Sequence, residues 1–200
     1  MNVAKYLTAF SVFSVVAGYT LPATAIVMGF QAEYDPTNWT LDRNGGGGFI
    51  RTTEPISIFL DGSNTGTGNS IDTDFTITAP NSGTVSFNWD YNTDDGSPRF
   101  DPFIRLLNGS ETQLTNDGGP DRQSGTDSFL VNTGDSFGFR INTTDDLFGE
   151  ASTLISNFEA PATSSTQPVP FEVEGAMGFV ALGGFLGYRY LRKRKQALNQ

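Results

Sequence analysis

Neither cysteine nor histidine occurs among the 200 residues of this chain. The first absence excludes disulfide staples and thiolate chemistry. The second excludes imidazole bases, imidazole metal ligands and every Ser-His-Asp or Cys-His arrangement. Between Ile26 and Ala160 lysine is missing as well, and six arginines stand against twenty carboxylates. So acidic a segment repels nucleic acid and anionic lipid, and no nucleic-acid partner is expected. It is compatible with cations and with neutral ligands such as sugars, and it equally serves solubility. Without staples the segment must be held by its core. A domain of this size can bury roughly two thirds of its unfolded surface, which is enough.

The two ends differ from the body. Lys5 is followed by an apolar run from Tyr6 to about Leu21 and then by Pro22-Ala23-Thr24-Ala25. One positive charge, an apolar stretch and small residues at −3 and −1 describe a secretory signal peptide over residues 1–25, cleaved after Ala25 with Ala23 at −3. At the other end, "PATSSTQPVP" has no apolar periodicity and reads as an extended linker over residues 161–170. The tail, 171–200, holds an apolar, Gly-rich stretch from Val173 to Tyr190, roughly 27 Å long as a helix and close to the thickness of a bilayer core. Basic residues follow it, which favours a cytoplasmic C-terminus and leaves the body outside.

The body, 26–160, lacks any helical periodicity sustained over three turns and any internal repeat. It carries short alternating runs instead. In "TVSFNWDYN", Val85, Phe87, Trp89 and Tyr91 point one way and Ser86, Asn88, Asp90 and Asn92 the other, which predicts a strand with one buried and one wet face. Ile56, Ile58 and Leu60 alternate, as do Phe75 and Ile77, then Phe137, Phe139 and Ile141, then Leu154, Ser156 and Phe158. "DPFIRLL" and "DSFLV" are further strand candidates. Asp61-Gly62, Asp95-Gly96, Asn108-Gly109 and Asp117-Gly118 are turn pairs, and Asn108-Gly109 predicts a hairpin. Gly45 to Gly48 predict a loop. The expected fold is all-β, an antiparallel two-sheet β-sandwich of jelly-roll type.

Pro170-Phe171-Glu172, the Gly-rich span and Arg192-Lys193-Arg194-Lys195 follow one another at the C-terminus. In this order they resemble the PEP-CTERM family of bacterial sorting signals, in the variant with Pro-Phe-Glu that looks cyanobacterial. The resemblance implies recognition of the tail by an exosortase, an integral-membrane transpeptidase-like protease, and a place at the cell surface among exopolysaccharide. The stretches "DPTNWT", "GTVSFNWDYNT", "DSFGFRI" and "ASTLISNFEAP" also look like sandwich domains carried by such proteins, and this likeness brings no catalytic residues with it.

Three chemistries remain open on the body. Asp90, Asp94, Asp95 and Asp101 lie within one strand end and loop, and Asp145, Asp146 and Glu150 lie in another. Loop carboxylates can hold calcium, although the spacing is not that of an EF-hand, and Arg99 is an alternative source of compensation. Paired carboxylates can run a glycosidase, but no compact acidic strand motif supports one. Trp39, Trp89, Tyr34 and Tyr91 are candidates for stacking on sugar rings, with Trp89 and Tyr91 better explained by core packing. The expectation is an exported, non-enzymatic protein of the cell surface or extracellular matrix, membrane-tethered by its C-terminal helix until processing. The alternatives are a calcium-dependent carbohydrate-binding module and a carboxylate glycosidase.

Overall fold

The computed structural model describes residues 25–52 and 56–163. The expected signal peptide, save Ala25, the expected membrane span and the sorting residues Pro170, Phe171, Glu172, Arg192, Lys193, Arg194 and Lys195 lie outside the described residues. Among those described, no helix is long and apolar enough to cross a membrane.

Eleven strands run through the described residues: β1 (Ile26–Met28), β2 (Thr40–Asp42), β3 (Phe49–Thr52), β4 (Ile58–Asp61), β5 (Ile71–Thr78), β6 (Gly83–Thr93), β7 (Phe103–Leu107), β8 (Ser110–Gln113), β9 (Arg122–Val131), β10 (Ser136–Thr143) and β11 (Ala151–Pro161). All pairings are antiparallel. One sheet has the order β3-β4-β11-β6-β9, with β1 also on β11, and the other β2-β5-β10-β7-β8. From β5 onward nearly every connection crosses from one sheet to the other, the habit of a jelly roll. The described body is a two-sheet antiparallel β-sandwich.

The core lies between the sheets. Val85, Phe87, Trp89 and Tyr91 of β6 are buried, as are Phe75 and Ile77 of β5 and Phe137, Phe139 and Ile141 of β10. The alternation of these strands is the physical cause: a strand shows every second residue to one face. The β7–β8 hairpin forms at Asn108-Gly109, with φ of 50° and 77° there and Leu107 opposite Ser110. Two consecutive positive φ values make the tight turn whose twist matches its strands.

Several local expectations fail. Ile56 is exposed and precedes β4. Asp61-Gly62 is not a turn pair; Asp61 ends β4, buried, and the Gly62 N–H donates to the Ala151 carbonyl at 2.8 Å. In β11 the faces are reversed: Thr153 and Ile155 point inward, while Leu154 and Ser156 point out. A register shift between Ser156 and Glu159, with Asn157 at φ 48°, then turns Phe158 back to the core. A bulge adds one residue and so restarts the alternation on the opposite phase. The strand also runs on through Pro161, one residue into the stretch read as linker.

Trp39 and Tyr34 belong to the core although no strand holds them. They lie on a segment of short 3₁₀ turns, where Asp35 caps Pro36–Asn38 by accepting from the Thr37 N–H. Trp39 stacks on Phe75 at 4.8 Å between centroids and on Phe139 at 5.7 Å, and its indole N–H donates to the Tyr34 carbonyl at 3.0 Å. The Tyr34 hydroxyl donates to the Pro161 carbonyl at 2.9 Å and so fixes the start of the described chain to its end. Removing an aromatic ring from such a site costs about 3–5 kcal/mol.

Candidate functional site

The outer face of the β3-β4-β11-β6-β9 sheet carries an open groove of about 470 Å³. Its shape follows from register. Phe59, Leu154, Asp90 and Ser124 lie in one row across β4, β11, β6 and β9, and Asp61, Ser152, Asn92 and Arg122 lie in the next. Phe59 and Leu154 give the groove an apolar floor. Asp90, Asn92, Arg122 and Ser124 give it hydrogen-bonding groups beside that floor. Beyond them the same face continues as hydroxyls and amides: Ser86 opposite Ser128, and Asn88 opposite Thr126.

Much of this polar surface is uncommitted. Asp90 and Ser124 make no side-chain hydrogen bond to any described residue. Arg122 uses Nε on Asn92 Oδ1 at 3.1 Å and leaves its outer guanidinium nitrogens without a described partner. One wall is fixed. Arg51 is bidentate to Asp61, with both contacts at 2.6 Å, reaches Ser152 Oγ at 3.1 Å, and lays its guanidinium 4.5 Å from the centre of the Phe59 ring. A carboxylate accepts two hydroxyls and a guanidinium donates several hydrogen bonds, so the face suits a neutral, hydroxyl-rich ligand with apolar C–H patches. Asp90 and Arg122 balance in charge.

On the opposite sheet the part of the outer face around Arg140 is closed, while a smaller cleft of about 280 Å³ opens beside it over Thr40, Thr76, Thr78 and Ser136. Arg140 stands directly across from Asp74 and is bidentate to it at 2.6 Å, with Glu111 at 2.6 Å and Asp72 at 3.0 Å. Hydrogen bonding to Asp74 raises the Arg140 pKa against the effect of burial. At the sandwich rim, Arg105 and Asp127 point inward from the two sheets and pair at 3.1 Å, with the Arg105 guanidinium 4.6 Å from the Phe129 ring centre. The Nε–H is not aimed at the oxygen, so this is an ion pair rather than a hydrogen bond. An inward charge on the outermost strand β9 discourages edge pairing with another chain.

The four aspartates read as a calcium set do not come together. Asp90 is exposed on the groove face, and Asp94 is exposed and accepts from Asn92 Nδ2 at 3.3 Å. Asp95 and Asp101 are buried. Among the described residues no group of three or more Asp and Glu is arranged to hold a metal. Arg99 does not compensate them; its guanidinium lies 4.5 Å from the Phe100 ring centre. In the second acidic stretch, Asp146 is a loop staple. It is buried and accepts from the backbone and hydroxyl groups of both Thr65 and Thr67. Burial pushes its pKa up, but these bonds prevail and hold it well below the usual carboxylate range. Trp39, Trp89, Tyr34 and Tyr91 are all buried, and none offers a ring face to a ligand.

Sequence reasoning found the wet face of β6 but missed Phe59, Leu154, Arg122 and Ser124. Leu154 fell on the wrong face because the bulge is silent in the alternation. The inward positions of β9 start with Gln123, Gly125 and Asp127, so only its end, "DSFLV", is announced by the sequence, and the half that carries Arg122 and Ser124 is not. Gly125 is small for a reason: a Cβ there would come within 2.8 Å of the Trp89 ring.

No protein-family model matches the chain, and no curated protein does. Among solved structures it is similar to a family 35 carbohydrate binding module from Clostridium thermocellum, at 14% identity over 69% of this chain and 99% of that one, with a TM-score of 0.36. A family 35 module from Paenibacillus barcinonensis is similar at 18% identity over 64% and 95%, TM-score 0.31. A module of Cellvibrio mixtus lichenase 5A, solved with cellotriose, is similar at 9% identity over 70% and 98%, TM-score 0.34. At these scores the likeness does not extend to a binding site.

Proposed function

We propose that the sandwich binds a neutral polysaccharide chain along the outer face of the β3-β4-β11-β6-β9 sheet, and that the protein does so as an exported component of the cell surface. The observation that carries this reading is the groove itself: an apolar floor of Phe59 and Leu154 flanked by the uncommitted Asp90, Ser124 and Arg122. Sugar rings present both chemistries, C–H faces and hydroxyl edges, and a groove open along a sheet admits a polymer. The role is one of holding rather than cutting. A glycosidase needs two carboxyls across the scissile bond, and Asp90 is the one carboxylate lining the groove among the described residues. Export, tethering through the tail and release by an exosortase rest on the signal-peptide pattern and on the Pro170-Phe171-Glu172 resemblance. Exopolysaccharide around the cell is then the ligand source.

Affinity electrophoresis of the whole chain through gels containing soluble neutral or acidic polysaccharides tests the binding. Retardation by at least one neutral polymer, weakened in Arg122→Ala, is expected; equal mobility in every gel would refute the reading. The sorting half is tested separately by intact mass of the protein recovered from its native surface. Loss of the segment after about Pro170 is expected there, and a C-terminus at Gln200 would mean an ordinary anchor.

A further inference from the structure

Among the described residues, Asp95 and Asp101 are the buried aspartates that have no ion pair and keep a carboxylate oxygen with no hydrogen-bond partner. Asp101 is fully buried and Asp95 is 6% exposed. Thr93 links the two residues: its Oγ1 donates to the Asp101 carboxylate at 3.0 Å and accepts from the backbone N–H of Asp95 at 3.1 Å, and the Asp95 charge acts on Asp101. Asp95 Oδ1 accepts from the Gly96 N–H at 2.5 Å. The remaining oxygens, Asp95 Oδ2 and Asp101 Oδ1, are buried and have no hydrogen-bond partner. The Thr143 hydroxyl lies near Asp101, but its hydrogen goes to the Ser63 carbonyl at 3.2 Å. Among the described residues no ion pair reaches either aspartate; the arginines that form such pairs are committed to Asp61, Asp127 and the Arg140 cluster.

Two neighbouring buried carboxylates without a positive charge are costly, because desolvation and mutual repulsion add. Folded proteins resolve such a pair with a cation or with a proton. We propose that Asp95 and Asp101 hold a divalent cation, calcium-like in its preference for oxygen, at the corner where β6 leaves its sheet and β7 begins. The free Asp95 Oδ2 and Asp101 Oδ1 are its protein anchors. The chain offers no imidazole or thiolate, so softer metals have no reason to prefer the corner. With two carboxylates rather than three or more, affinity belongs to the weak range of extracellular calcium modules, about 10⁻⁴–10⁻³ M. The site is independent of the groove and stands or falls without it.

Thermal unfolding of the full chain, stripped with chelator, tests this. Calcium chloride at about 10 mM, against sodium chloride of equal ionic strength, should raise Tm by about 5 °C. Asp101→Asn and Asp95→Asn should each abolish the rise, while Asp90→Asn, on the exposed face, keeps it. Asparagine is isosteric and removes a buried charge, so the cation-free variants should melt no lower than the cation-free parent. A second readout is spectroscopic. The Tyr91 hydroxyl donates to the Asp101 carbonyl at 3.1 Å, so bound Tb³⁺ should emit when aromatic residues are excited, and calcium should quench that emission. No rise in Tm together with no sensitised emission would overturn the proposal, as would a rise that survives in both buried-aspartate variants. If instead Asp101→Asn raises the Tm of the chelated protein and calcium does nothing, the corner is a proton site and the cation is refuted.

Discussion

On the outer face of the β2-β5-β10-β7-β8 sheet, Arg140 is surrounded by Asp74, Asp72 and Glu111, all within 3.0 Å. On the outer face of the other sheet, the side chains of Asp90 and Ser124 make no hydrogen bond to a described residue and Arg122 spends one nitrogen on Asn92. Both faces grew from the same alternating strands. The first directs its polar groups at each other and so contributes rigidity. The second leaves them for a ligand, beside the apolar floor of Phe59 and Leu154. The difference lies in what stands opposite: register sets Arg140 against Asp74, but sets Asp90 between Leu154 and Ser124. Cross-strand neighbours decide whether a wet face is closed or open.

The comparison breaks most visibly at Arg140. Arg140→Ala leaves Asp72 and Asp74, both partly buried, without a cationic partner, and should cost about 2–3 kcal/mol of stability, below the 3–5 of a fully buried pair. Denaturant unfolding measures it, and polysaccharide retardation should be unchanged. If binding vanished while the fold survived, the closed face would be part of the site.

Next in size is the pH profile of the chelated protein. Burial first, and then the neighbouring charges of Asp95 and Asp145, push the Asp101 pKa up to about 6 against the pull of the Thr93 hydroxyl. A carboxyl raised on folding stabilises the protein when protonated. Its contribution is full below the ordinary carboxylate range, is lost as pH rises from about 4 through 6, and is of order 2 kcal/mol across that window. Asp101→Asn should flatten this part of the profile. Asp146 acts with the opposite sign, because its folded pKa is depressed; its contribution is present above the ordinary range and is lost as pH falls below it. A parent profile with no decline between pH 4 and 6 would contradict the assignment.

Arg122→Ala sharpens the comparison from the open side. Affinity for the retained polysaccharide should fall about tenfold, or about 1.4 kcal/mol, with stability inside about 0.5 kcal/mol of the parent. Titration calorimetry and thermal unfolding give the two numbers. The smallest effect is expected at Phe148, on the loop that carries the chain from β10 to β11. It is 82% exposed at φ 64°. Phe148→Gly relieves a backbone conformation that an aromatic residue tolerates poorly, offset by glycine's greater entropy unfolded, for a net gain of about 0.5 kcal/mol in Tm-derived stability.

Much of the sandwich was legible beforehand because burial obeys the two-residue period. β6, β5 and β10 were read with the correct inward faces, and Asn108-Gly109 gave its hairpin, since the turn geometry belongs to those two residues alone. The groove was half legible. Asp90 and Asn92 stood out as the wet face of β6, but their apolar companion Leu154 was assigned inward. The bulge at Asn157 shifts the phase by one residue, and nothing in "TLISNF" marks where the count restarts.

By itself, the sequence determined that this chain has a β-rich body without staples, imidazole or thiols, and that its ends have a composition unlike that body. These are properties of single residues and of spacing, so they need no partner strand. Tertiary structure alone decided that Trp39 and Tyr34 are core rather than surface, that Asp95 and Asp101 are buried while Asp90 and Asp94 are not, and that the polar groups around Arg140 are paired while those around Asp90 are open. Each of those outcomes depends on which residue stands across a strand pair or between two sheets, and residues far apart in the chain supply it: Phe75 and Phe139 for Trp39, Thr93 for Asp101, Leu154 for Asp90.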